Sequence, residues 1–370
     1  MTPQPPLFRI LDAAITSQRQ EWERVWERIG KGEIFSHPAY LCALADNDGK
    51  VLAAYGRGPG GGEVLYAFIR RPITTDAVGR PVEVGLSDLI TGLVYGGPIG
   101  DIAAADDLEW FWRKFAVWAR ENGVVSEFIR FSPVVEDRLG PYPGTVRRQA
   151  PHVVRDLGGL GPEDLVAAMV SNSRRRYRRA IEAEYRTHID DTGEMLDDFL
   201  DIYEENMDRV EAAPAFYFPR EFFEEINRTF PGRFAYVFVL DGDEPVSATL
   251  MLYGDRTAYY YLSGCRTSAL HSGAHVFAHI ACMRSSLARG ARHHVLTGGV
   301  TNTENDNLLR FKRHLVPDGL RDYLTGERIF LPEVYSRLLA GGASAPESQY
   351  FPRYRDPALK LQTVGGGLGV

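Results

Sequence analysis

The chain is 370 residues long, 44% hydrophobic and 25% charged, with a formal net charge of −7 at pH 7. That length suits two globular domains of about 100–200 residues each, and the acidic balance argues against wholesale coating of nucleic acid while permitting a local basic site. Cys42, Cys265 and Cys282 are odd in number and far apart, without CxxC spacing, so they read as buried or free thiols in a reducing compartment.

Residues 1–10 are proline-rich and read as a short extended arm. Gln18–Ile29 is a helix with Trp22, Val25, Trp26 and Ile29 on one face. Ser36 is placed to cap a further helix, with Pro38 in its first turn. Val51–Tyr55 and Val64–Arg70 are strands joined by the Gly56–Gly62 turn. Gly92–Val94 is a short strand running into Tyr95-Gly96-Gly97-Pro98. A helix over Ala105–Asn122 ends at Gly123, a natural C′ residue, and Val125–Phe131 is a strand stopped by Ser132-Pro133.

A joint helix from Pro162 to about Arg186 follows, with Glu163 and Asp164 in its first turn, where the dipole favours acids. Its inward stripe is Val166, Met169, Val170, Ser173, Tyr177, Ala180 and Ile181. Around the remaining arc stand Arg174, Arg175, Arg176, Arg178 and Arg179. Two ordinary helices fit within 192–229. Strands Arg233–Leu240, Ser247–Tyr253 and Thr257–Leu262 come next, then a helix over Ala274–Ala288 that stops at Gly290, and a strand His293–Thr297. Gly123 and Gly290 are 167 residues apart, as are Gly92–Pro98 and Tyr259–Cys265. One offset for two landmarks predicts a tandem duplication of an α/β module, divided as 1–155 and 156–335, with 336–370 a tail or strap.

In the segment Asn305–Leu315, helical spacing puts Leu308, Phe311, Lys312 and Leu315 on one face, so an apolar stripe carries a lysine. The chain has 37 arginines and five lysines among its 42 basic residues. Lys312 either snorkels past the stripe to water or offers a pocket the compact, rotatable charge that Arg lacks. The arginine cluster is either a solvated face paired with acids or a phosphate-binding surface, since guanidinium groups contact phosphate bidentately. His271, His275 and His279 recur every four residues. Three positions along one helix span about 12 Å, too far for one ion, and no HExxH pattern occurs, so the expected metal is none.

Nucleophile elbows, phosphate-cradling P-loops and dinucleotide fingerprints are missing, which leaves chemistry without a covalent enzyme intermediate. Transfer of an activated acyl group to an amine fits, with Lys312 as partner of the oxyanion. MTPQPPLFRI has no basic region before an apolar core, and no apolar run nears the about 18 residues of a spanning helix. The expectation is a cytoplasmic protein without stable membrane insertion.

The order Tyr95-Gly-Gly-Pro98, helix, Phe128-Ile-Arg-Phe-Ser-Pro133, Arg-rich helix and Phe311-Lys312 resembles the Fem-type branch of the GNAT superfamily, over about residues 35–330. These are peptidoglycan-bridge aminoacyltransferases and their aminoacyl-tRNA-dependent, amide-forming relatives. The resemblance implies an α/β (α+β layered) fold of two tandem GNAT-like domains, each a mixed central sheet flanked by helices, the second carrying the donor site. It implies aminoacyl transfer from aminoacyl-tRNA to the amine of a cell-wall precursor or small natural product, with no cofactor besides that co-substrate. Phe311 and Lys312 match the family's Phe-Lys pair at the tRNA 3′ end. On this reading Arg174, Arg175 and Arg178 hold phosphates, and Tyr260, Ser263, His275 and Thr297 line the pocket. The chain departs from the family in two places. Residues 192–229 leave no room for a long coiled-coil arm. Arg266-Thr-Ser-Ala-Leu-His-Ser-Gly273-Ala274 keeps only the last part of the GNAT pyrophosphate loop, which weakens the alternative, an acyl-CoA-dependent N-acyltransferase.

Overall fold

The computed structural model describes residues 5–30, 32–45, 48–102, 105–135, 138–340 and 349–359. The chain divides into two compact units: residues 1–30, 35–148 and 324–370 form one, and 31–34 with 149–323 form the other. The first unit contains strands β1 (Leu7–Asp12), β2 (Lys50–Arg57), β3 (Glu63–Pro72), β4 (Ser87–Ile90), β5 (Gly97–Asp101), β6 (Val124–Arg130) and β7 (Thr145–Arg148), with helices α1 (Thr16–Ile29), α2 (Pro38–Leu44) and α3 (Ala105–Glu121). The second contains β8 (His152–Asp156), α4 (Pro162–Ala167), α5 (Ser171–Glu182), β9 (Arg186–Asp190), α6 (Leu196–Arg209), α7 (Arg220–Thr229), β10 (Phe234–Asp241), β11 (Glu244–Tyr253), β12 (Thr257–Cys265), α8 (Ala274–Ala288), β13 (His293–Thr297), α9 (Asn307–Leu315) and β14 (Leu320–Arg321). The chain then returns to the first unit as β15 (Leu324–Ile329) and α10 (Pro332–Leu339).

The first sheet runs β1-β2-β3-β4-β6-β15-β7, with β5 paired to β3. The second runs β9-β10-β11-β12-β13-β8-β14. In both, the fourth and fifth strands are parallel and every other neighbour along the path is antiparallel. This is the duplicated mixed-sheet module that the sequence predicts. Its equivalences differ from the predicted ones. Gly123 and Gly290 do match: both have left-handed φ (+68° and +75°) just beyond α3 and α8. Gly92–Val94 is not a strand. The strand before it, β4, pairs Ser87 with Val124, as Thr257 pairs with His293, so the true strand landmark lies at 87–90.

The central strands of each sheet are buried on both faces, and side-chain alternation assigns the layers. In β10, Ala235 and Val237 pack with Cys282 of α8, whereas Tyr236 meets Phe199 of α6 at 4.9 Å. In the first unit, Phe111, Trp112 and Phe115 of α3 cover Tyr66 and Phe68 of β3. The glycine run after β2 answers a specific approach. Asp107, 1% exposed, accepts from the N–H groups of Gly60 (2.6 Å) and Gly62 (2.9 Å). A Cβ on Gly58 or Gly60 would strike that carboxylate.

Other expectations are corrected. Leu7–Asp12 of the supposed arm is an edge strand, while residues 1–4 lie outside the described ones. His37, not Ser36, caps α2: its Nδ1 accepts from Ala39 N–H at 3.2 Å. The joint helix is broken at 168–170, where Val170 is extended and its N–H donates to His314 O at 3.0 Å. Leu165, Met169, Ser173, Tyr177 and Ala180 stay buried across the break, so periodicity alone cannot reveal it. The boundaries at 155 and 335 fall elsewhere because β8 joins the second sheet and β15 the first. Of the tail, Tyr354 docks on the first unit, its hydroxyl 2.8 Å from Ser126 Oγ and donating to Asp88 at 3.1 Å. Residues 341–348 and 360–370 lie outside the described ones.

Because β6 pairs with β15 on one side, a chain ending at Tyr323 would leave the backbone of β6 unpaired there. Hydrogen exchange is expected to show loss of amide protection over Val124–Arg130 in that truncation, with β13 and α9 still protected. Equal protection of β6 in both chains would refute the strand exchange.

Candidate functional site

The candidate site is built where β12 and β13 part. Their parallel pairing covers Thr257–Tyr259 against His293–Val295, after which β12 continues to Cys265 without β13 beside it. Tyr260 is the first residue beyond the fork on one arm. Thr297 ends the other arm, after a register shift between Val295 and Thr297 in the pairing with β8. Thr297 has φ +64°, a left-handed conformation that a β-branched residue rarely takes. Such backbone strain costs about 1–3 kcal/mol and persists where surrounding contacts over-determine it.

Those contacts come from α9. Its buried face is Leu309, Lys312 and Leu315, while Leu308 turns outward at 38% exposed, contrary to the predicted stripe. Lys312 is 4% exposed, so its amine does not snorkel to water. Nζ donates to Thr297 Oγ1 at 2.9 Å and to Gly298 O at 2.7 Å. Burial pulls its pKa down from 10.5 to about 7, opposed by the negative charge of Asp306. Asp306 itself is the N-cap of α9 and is 8% exposed. Burial pushes its carboxyl up, but N–H donors from Leu309, Thr301 and Leu308 and the Thr301 hydroxyl outweigh that and hold it at about 2. Lysine and aspartate together fix the loop between β13 and α9.

Phe311 continues the network to the other arm. Its ring lies 5.0 Å from His275 and 5.4 Å from His279, and His279 stacks on Tyr260 at 4.1 Å. Burial lowers His275 to about 4, helped by the charges of Arg176 and His271, and drives His279 well below the usual imidazole value. His152, stacked on Tyr323 at 3.9 Å, is lowered to about 3 by burial and by the Lys312 charge. These imidazoles are therefore neutral near pH 7. Burial also raises the Tyr260 phenol, opposed by the hydroxyls of Ser263 and Thr249. His271 lies exposed before α8 begins, so the three histidines do not form one helical row.

The arginines divide. Arg174 donates to Ala167 O at 3.0 Å and to Met169 O, closing the break between α4 and α5, so its guanidinium is committed to the backbone rather than offered to a ligand. Arg175 bonds Asn172 Oδ1 at 3.0 Å, and Arg175, Arg176, Arg178 and Arg179 are exposed on α5. Helix α5 packs on α8 through Tyr177 and Phe277, stacked at 5.6 Å. Gly273, with φ +95°, sits so close under the Arg176 carbonyl that a Cβ would overlap it.

Thus Lys312, Thr297, Phe311, His275 and Tyr260 form one contact network, with Ser263 beside Tyr260 and Arg175 and Arg178 on the α5 surface. Sequence reasoning missed Asp306, whose position directly before a helix is a readable N-cap signal. It also missed His279 as a ring between Phe311 and Tyr260. Gly298 and His152 carry no local signal: a Cβ on Gly298 would lie 2.6 Å from the imidazole of His152, distant in sequence.

Residues 167–313 match the family described as Acetyltransferase (GNAT) domain. No curated protein matches the chain. A crystal structure of FemX is similar with TM-score 0.63 at 11% identity, covering 86% of this chain and 98% of that one. The C-terminal DUF2156 domain assigned to a lysylphosphatidylglycerol synthetase from Agrobacterium fabrum is similar with TM-score 0.55 at 11% identity, covering 88% and 97%. A conserved protein of unknown function from Bacteroides thetaiotaomicron gives 0.54 at 12%, covering 86% and 100%. The chain has the tandem-GNAT fold, and the match to a GNAT-type domain lies within its second unit. No helix among the described residues is long and apolar enough to cross a membrane.

The Lys312 amine has its ordinary value of 10.5 when unfolded and about 7 in the fold. Between these values the unfolded chain binds more protons, so this residue makes stability rise with pH from about 7 to 10.5. Denaturant titrations across that window are expected to show a shallower rise for Lys312→Met than for the parent. Identical slopes would mean that the amine is not desolvated.

Proposed function

We propose that the chain forms an amide bond by transferring an aminoacyl group from aminoacyl-tRNA to the amine of a cell-wall precursor or small natural product. The observation that carries this is the buried, doubly anchored Lys312 at the fork of a GNAT-type sheet. A protonated lysine has three N–H donors, and two are used on Thr297 and Gly298. The third is available for an oxygen that gains charge. The acceptor amine attacks the ester carbonyl, a tetrahedral oxyanion forms, and its collapse expels the 3′-oxygen of the terminal ribose. The amine loses one proton and the ribose hydroxyl gains one. Lys312 stabilises the oxyanion, Phe311 packs the ester or stacks on the terminal base, and Arg175 and Arg178 contact phosphates of the acceptor end. Tyr260, Ser263, His275 and Thr297 shape the pocket.

A second reading is an acyl-CoA-dependent N-acyltransferase, favoured by the family match over residues 167–313 and by the net charge of −7. The start of α8 favours the tRNA donor. An acceptor carbonyl from Arg176 lies against Gly273, and the N–H of Ala274 is taken by Ser272 Oγ at 3.2 Å, where acyl-CoA would need free donors for its pyrophosphate.

With charged tRNA and an amine acceptor, Lys312→Met is expected to lower transfer by about 10²-fold or more, the scale of one lost oxyanion donor. Near-normal activity in a folded variant sinks the mechanism. A donor test uses labelled acyl-CoA, then charged tRNA with and without RNase, and RNase-resistant product would overturn the tRNA reading.

Since the oxyanion role needs the protonated amine, kcat is expected to fall as pH rises through about 7. A rate that climbs through that range and levels off would instead make Lys312 a base.

A further inference from the structure

The first unit holds a cavity of about 190 Å³ that the acyl-transfer reading does not use. It lies at the place in the first sheet that the Lys312 site occupies in the second. In strand order β4, β6, β15 and β7 correspond to β12, β13, β8 and β14, and α3 leads into β6 as α8 leads into β13. Phe131 directly follows β6, as Gly298 directly follows β13. Gly96 makes a parallel bridge to Phe131, after which β5 pairs with β3 and the space past the bridge is left to side chains. Three rings wall it: Trp112 from α3, Phe131, and Tyr142, which meets each of the others edge-on at 5.6 Å. Leu139, Val146 and Leu324 add aliphatic surface. A Cβ on Gly326 would lie 2.8 Å from the Tyr142 ring and 2.9 Å from that of Phe131, so both rings are seated on the bare backbone of β15. The walls are therefore fixed before any ligand arrives.

Most polar side chains of the lining are already engaged. Tyr142 donates to Glu127 at 2.8 Å, Ser132 Oγ accepts from Val134 N–H at 3.1 Å, and Arg138 Nε donates to Ser132 O at 2.7 Å. The Trp112 indole differs: it is 4% exposed, and its buried Nε1–H has no acceptor among the described residues. A buried tryptophan N–H usually finds a partner, and leaving one unmet is destabilising. We infer that this cavity binds a small molecule built on one aromatic ring that carries a hydrogen-bond acceptor. The ring lodges among Trp112, Phe131 and Tyr142, and the acceptor takes the Trp112 N–H. A cavity of about 150 Å³ with apolar walls takes up benzene, so 190 Å³ suits a ring with one compact substituent. That volume falls below the roughly 300–1,000 Å³ of sites for larger ligands.

Phenol and toluene, alike in shape and different in the acceptor, test the site on the full chain through NMR of its five indole N–H signals. Phenol is expected to bind saturably and more tightly than toluene. It should shift one indole signal downfield, the one that is missing in Trp112→Phe. That variant removes the donor and keeps a ring, so it should prefer toluene. Val146→Trp fills the cavity from a position on β7 that is 46% exposed, and should weaken phenol binding at least tenfold with the fold intact. It keeps the test decisive if Trp112→Phe does not fold. No saturable shift with phenol, or full binding in Val146→Trp, would overturn the site. Toluene binding the parent as tightly as phenol would overturn the role of the indole N–H.

Discussion

An ammonium group enclosed in an apolar layer must find oxygen acceptors, and in the second unit that requirement governs the local architecture. Lys312 is satisfied by a hydroxyl and a carbonyl from consecutive residues, Thr297 and Gly298. To present both, Thr297 adopts a left-handed backbone, and the glycine after it lets His152 approach closely. Desolvation makes the amine hard to keep charged, and the Asp306 charge partly restores it. Asp306 in turn is held ionised by the same loop it organises. Removing any of these groups would leave a buried polar partner unmet, which costs more than the bond itself contributes.

The fork gives this arrangement its setting. Parallel strands that pair over three residues and then diverge leave one face of each arm unpaired, and side chains fill the space. Lys312 engages the β13 arm, while Phe311, His279 and Tyr260 form a chain of rings to the β12 arm. Burial keeps the histidines neutral, so they add polar atoms without adding charge. The Nδ1 atoms of His275 and His279 are buried without a hydrogen-bond partner, leaving acceptor or donor capacity beside Phe311.

The first unit repeats the order of strand senses and turns it to other uses. In the first sheet Tyr66 and Tyr142 close over Glu127, which lies within the parallel β4–β6 pairing opposite Leu89. Burial raises that carboxyl to about 7, against hydrogen bonds from Tyr142 (2.8 Å) and Tyr66 (3.2 Å) and the nearby Arg328 charge. The duplication thus preserved a sheet while the side chains on it diverged.

Much of this was legible from residue order. The amphipathic periods of α1 and α3, the turn glycines Gly123 and Gly290, and the anomalous Lys312 follow from local rules, because they depend on residues a few positions apart. The arginine cluster was equally visible, but not that Arg174 closes a helix break, since the apolar stripe runs through the break unchanged. The exchange of β8 and β15 is set by pairing between segments about 140 residues apart for β8 with β13 and about 200 for β15 with β6, which no local pattern encodes. The same holds for the site. Sequence determined that a lysine lies on an apolar face of α9. Tertiary structure decided that it is buried, what it bonds and at what pH it titrates, because those depend on β13, β8 and α8 converging around one amine.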